Sequence, residues 1–151
     1  MRGEAHVTKL GQIWGNFHSL EMVLRSYLAF HDPRKALKEG QSFETLAVGD
    51  VVGENPTTDF SSLGQLIEQF NKAVSKNRRI DPTLVDLRDA LAHGRVWSLD
   101  ETFPLRLLKF SRPDNGRVTV TWASTMTDDW LNEQRQRVLE ALVRAYGGAP
   151  S

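Results

Sequence analysis

The sequence predicts a mainly α-helical fold of four to five helices, with a small β-hairpin at about 104–123 inserted before the last helix. Three observations carry this expectation: a long apolar stripe through the N-terminal segment, two shorter stripes bounded by helix start and stop signals, and turn chemistry between two β-rich runs.

Leu10, Ile13, Trp14, Phe17, Leu20, Leu24, Tyr27 and Leu28 recur at three- and four-residue spacing, which predicts one amphipathic helix from about Glu4 to Phe30. His31-Asp32-Pro33 stops it. Glu21 flanks the stripe between Phe17 and Leu24, and a carboxylate so placed needs a partner. Residues 34–60 read as an irregular connection, with loop signals at Gly40, Gly53 and Asn55-Pro56 and a short helix near Arg34 to Lys38. Ser61 or Ser62 caps a second helix, whose face of Leu63, Leu66, Ile67, Phe70 and Val74 extends to about Lys76.

Asn77-Arg78-Arg79 turns the chain, and Asp81-Pro82 supplies an N-cap and a first helical residue for a third helix. Its inward positions are Leu84, Leu87, Ala90 and Leu91, and Gly94 offers a C-terminal cap. Leu105 to Phe110 and Val118 to Ala123 are rich in β-formers, and Pro113-Asp114-Asn115-Gly116 between them is hairpin turn chemistry. Two strands alone are marginal, so the hairpin should lean on helices. A last helix starts after Thr127 or Asp128 and runs to Tyr146, with Gly147-Gly148 as its stop.

A chain of 151 residues is expected to form one domain over 1–151, burying roughly 70% of its unfolded surface. It has no cysteine, which removes disulfides and thiol chemistry and suits a reducing compartment. No apolar run approaches the ~18 residues of a membrane span, and Met1-Arg2-Gly3-Glu4 does not open a signal-peptide core, so a soluble, cytoplasmic protein is expected. With 19 basic and 19 acidic residues there is no global field for polyanions, and nucleic acid would have to meet a local patch. Residues 38–68 are acidic, whereas residues 72–95 carry Lys72, Lys76, Arg78, Arg79, Arg88 and Arg95 against Asp81, Asp86 and Asp89.

That basic stretch ends on Leu87-Arg88-Asp89-Ala90-Leu91-Ala92-His93-Gly94-Arg95. On a regular helix Asp89 and His93 are four apart and share a face, so the carboxylate can hold the imidazole and fix its tautomer. Arg88 lies five residues from His93, about 140° round an ideal helix, and reaches the same pocket only by leaning across. Guanidinium beside imidazole suits phosphate-ester chemistry, because one binds phosphoryl oxygens bidentately and the other moves a proton. RNA supplies its own nucleophile in the 2′-hydroxyl. One imidazole serves poorly as both base and acid, so a two-fold dimer bringing two copies of Arg88 and His93 together would complete the site. Lys76, Arg78, Arg79 and Arg95 are the candidate substrate-binding cations.

Arg88-Asp89-Ala90-Leu91-Ala92-His93 resembles the Arg-x(4–6)-His signature of HEPN domains, including the polar residue after Arg and the His-Gly ending. The resemblance extends to an up-and-down helical bundle, to an inward acidic residue on the first helix matched by Glu21, and to the Leu63-Gly64-Gln65-Leu66-Ile67 opening of the second. It implies a homodimeric, metal-independent endoribonuclease of toxin, phage-defence or RNA-processing type. Arg88 and His93 would be catalytic, Asp89 accessory, Glu21 structural support, and no cofactor or metal is needed. Many members that pair with a nucleotidyltransferase antitoxin carry Tyr two residues after His; Arg95 stands there in this chain, a departure from that pattern, and any antitoxin or complex partner is left unidentified.

The competing expectation is a non-catalytic HEPN-like dimerisation or binding module in a stress or defence complex. There His93 would gain from the helix macrodipole, Arg88 would pair with Glu21 and Asp89 would be solvated. His6, His18 and His31 lack ligand-like spacing, and no metal site is expected. Trp14 and Trp130 fall beside apolar stripes. Trp97 and Trp122 could line a cleft, although core packing is the commoner use of the ring.

Overall fold

Helices dominate the chain, and a small antiparallel sheet sits between the third and the last of them in sequence. The computed structural model describes residues 2–98 and 103–147, and Met1 and Gly148 from the expectations above lie outside them. The order is α1 (Arg2–Phe30), a 3-10 turn (Phe43–Thr45), α2 (Leu63–Ala73), a second 3-10 turn (Lys76–Arg78), α3 (Leu84–His93), β1 (Arg95–Trp97), β2 (Leu105–Phe110), β3 (Val120–Met126) and α4 (Asp128–Tyr146). No described helix is long and apolar enough to cross a membrane. The chain divides into two compact units, Met1–Phe17 with Thr83–Ala141, and His18–Pro82 with Leu142–Ser151.

In the unit built on His18–Pro82 and Leu142–Ser151, Leu20, Leu24, Leu66, Ile67 and Phe70 are fully buried. Ser62 starts α2 with a reciprocal cap: its hydroxyl accepts the Gln65 amide, and the Gln65 side chain accepts the Ser62 amide. The helix stops at Ala73, short of Lys76, because Val74 turns to extended backbone and is buried there. Tyr27 meets the edge of the Phe70 ring at 5.0 Å between centroids. Residues 34–60 are irregular as expected, but the short helix near Arg34 to Lys38 does not form; Arg34 folds back on Asp32 instead. That pair holds the Asp32 carboxyl down at about 2.

Arg25 anchors this connection. Its guanidinium donates to the Pro56 carbonyl at 2.8 Å, the Ser61 carbonyl at 2.7 Å and the Asp59 carboxylate at 3.0 Å, while its Nε holds Glu21 at 3.1 Å. Burial pushes the Asp59 carboxyl up, but bonds from the Ser61 backbone and side chain and from Arg25 outweigh it, and the net shift is downward. Arg25→Ala strands several acceptors at once and is expected to cost about 2 kcal/mol in urea unfolding. A loss below ~0.5 kcal/mol would mean that the anchor holds nothing.

In the other unit, β2 is the central strand, with β1 and β3 antiparallel on either side. Leu107 and Met126 share its inner face and are 1% and 2% exposed. The expected hairpin is therefore two strands of three. β3 starts at Val120 and ends at Met126, later than the expected 118–123, and the pairing slips between Lys109 and Phe110. Asn115 (φ 49°) and Gly116 (φ 73°) form the tight turn, since both need the left-handed region that glycine enters without cost and asparagine with little. The Thr127 hydroxyl accepts the Trp130 amide at 3.1 Å and caps α4 as expected.

His6 on α1 is 7% exposed and lies 5.1 Å from the Phe103 ring. Burial lowers its pKa, and the Asp128 charge opposes this in part. A lowered folded value means that the unfolded chain takes up the proton first. The stability this group supports is complete above about pH 6.5 and declines as pH falls below it. Thermal unfolding from pH 7.5 to 5 is expected to lose part of that slope in His6→Phe, and an unchanged slope would assign it to other groups.

Candidate functional site

The third helix begins later than Asp81-Pro82 suggests. Thr83, in helical backbone, stands before Leu84, with no side-chain cap. Leu84, Leu87 and Ala90 are buried, and their helical spacing places Arg88 and Asp89 at the side of the buried face and His93 at the exposed end. The last turn closes through the Gly94 amide on the Ala90 carbonyl at 2.7 Å.

Gly94 is the C-cap of α3 as expected, but not in the left-handed conformation that glycine commonly takes there. Its backbone is extended (φ −71°, ψ 169°), and the need for glycine is one of space. A Cβ there would lie 2.3 Å from the Ala90 carbonyl oxygen, 2.7 Å from Leu107 Cδ1 and 3.0 Å from the Leu108 carbonyl oxygen. The helix end thus runs against β2, and the chain leaves directly into β1 at Arg95.

His93 is exposed, and among the described residues no hydrogen bond, ion pair or ring contact engages its imidazole. The expected Asp89–His93 bond is absent; Asp89 instead pairs with Arg88, whose Nη1 donates to Asp89 Oδ1 at 3.1 Å. Adjacent residues on a helix meet through the length of the arginine stem, and this pair is 39% and 35% exposed. Such pairs hold about 0–1 kcal/mol, so a phosphate competes readily for the guanidinium. The partner of Glu21 is Arg25, so its structural support goes to the 34–60 connection.

The four candidate substrate cations have different settings. Arg78 is committed: its guanidinium donates to the Ala145 carbonyl at 2.9 Å and lies 5.6 Å from both the Tyr27 and Phe70 ring centres, closing the C-terminal end of α4. Lys76 and Arg79 are exposed, and the Arg79 carbonyl accepts from Arg144. Arg95 is exposed on β1, with its guanidinium 5.7 Å over the Phe110 ring.

Trp97 is the residue least expected where it stands. It is 54% exposed on the outer sheet face instead of packed in a core. Trp122 lies on the inner face with its indole N–H buried and, among the described residues, without a hydrogen-bond partner. Among the described residues no group of three His, Asp or Glu side chains is gathered as metal ligands would be. The chain matches no protein-family model, no curated protein and no solved structure.

Proposed function

We propose that this chain is a HEPN-type, metal-independent endoribonuclease, active as a homodimer in which Arg88 and His93 of both copies build one composite site. The observation that supports it is the setting of His93. It is an exposed imidazole at the end of α3 that no described residue engages, beyond an arginine held among the described residues by a weak surface pair.

In the reaction one imidazole takes the proton of a ribose 2′-hydroxyl. The 2′-oxygen bonds to the adjacent phosphorus while the bond to the 5′-oxygen breaks. The second copy's imidazole protonates the departing oxygen, and the products are a 2′,3′-cyclic phosphate and a 5′-hydroxyl. Arg88 binds the non-bridging oxygens as charge builds on them, and Asp89 aims the guanidinium.

Incubation with structured and unstructured RNA in the presence of a chelator tests this reading. Cleavage by the wild type is expected, with activity confined to the dimeric fraction in size exclusion. Absence of cleavage, or equal cleavage by His93→Ala, overturns the enzyme, and an active monomer overturns the composite site.

A further inference from the structure

The outer face of the sheet combines aromatic rings with exposed guanidiniums, one of them lying over the Phe110 ring. The registers place Trp97 opposite Arg106, and Arg95 opposite Leu108, with Phe110 two residues further along β2 on the same face. Arg95, Trp97 and Arg106 are exposed and Phe110 half-buried. The stretch 95–126 carries Arg95, Arg106, Lys109, Arg112 and Arg117 against Asp100, Glu101 and Asp114. On the outer face of the paired strands the cations are Arg95 and Arg106, and none of the residues of β1, β2 and β3 is acidic.

We infer that this face binds single-stranded RNA, with unpaired bases stacking on Trp97 and on the Arg95–Phe110 pair while Arg106 holds the phosphate between them. The inference rests on the ribonuclease reading for its choice of RNA, and it adds the substrate class and the route by which the strand reaches the site. Exposed aromatic rings reward bases that are free to splay out, which duplexes do not offer, and guanidinium planes stack bases as rings do. Arg95 and Trp97 are about 7 Å apart along β1. Cross-strand neighbours such as Trp97 and Arg106 approach to about 5 Å between Cβ atoms. The face is also continuous with the half-site, because Arg95 is the second residue after His93. A strand lying along β1 would have its backbone carried to the imidazole.

Binding is measured by fluorescence anisotropy of a labelled single-stranded RNA in the His93→Ala background, where turnover does not interfere. Trp97→Ala with Arg106→Ala is expected to weaken binding at least tenfold, with thermal unfolding unchanged because both side chains are exposed. Duplex RNA of the same sequence should bind more weakly than the single strand. Equal affinity of the double variant, or equal affinity for the duplex, overturns the assignment. Wild-type cleavage with no effect of the double variant would defeat this inference alone. Strong strand binding through the face without any cleavage would defeat the ribonuclease and leave the binding face standing.

Discussion

His93→Ala is expected to slow RNA cleavage by at least ~100-fold, the lower end of what a positioned acid or base contributes, while leaving the thermal midpoint unchanged. The two halves of this expectation come from the same geometry. An exposed ring with no bond among the described residues carries no packing to lose. If it also moved no proton, its removal would change nothing. Arg88→Lys should fall between wild type and His93→Ala, since lysine keeps the charge but not the paired donors that grip a phosphate. A fall in stability with His93→Ala, at unchanged cleavage, would place the residue in the scaffold instead.

The largest effect on stability is expected immediately beyond His93, in Gly94→Val. Two of the three atoms that a Cβ would meet there are carbonyl oxygens of the backbone, at 2.3 and 3.0 Å, and neither can rotate aside as a side chain would. Relief requires the last turn of α3 to open at the Ala90 carbonyl and the helix end to move off β2. A loss of about 3 kcal/mol in urea unfolding is expected, at the upper end for overpacking. The same strain would shift His93 and Arg95, so cleavage should fall with stability. A loss below ~1 kcal/mol would show that this approach opens easily and that His93 is not rigidly held.

Much of this fold was readable because its long elements repeat. The stripe from Leu10 to Leu28 returns as α1, the Ser62 cap and Leu63–Phe70 face as α2, and Thr127 as the cap of α4. Asn115-Gly116 announced its turn because few residues accept that backbone. β1 was missed for the opposite reason: Arg95-Val96-Trp97 is too short to show alternation, and it becomes a strand only by pairing with residues 106–108. The same blind spot hid Trp97, whose exposure is decided by that register. Residues 34–60 were unreadable because Arg25, far away in sequence, organises them. In the site, the sequence located Arg88, Asp89 and His93 on one helix, but spacing could not decide which neighbour Asp89 would hold. Arg78 looked like a substrate cation because charge in sequence does not disclose the carbonyls of a helix end.

The ends left on a cleaved RNA test the central claim most directly. Wild-type protein in chelator is expected to leave 2′,3′-cyclic phosphate and 5′-hydroxyl termini, with neither formed by His93→Ala. Termini bearing 3′-hydroxyl and 5′-phosphate, or cyclic phosphates formed at the same rate by His93→Ala, would contradict it.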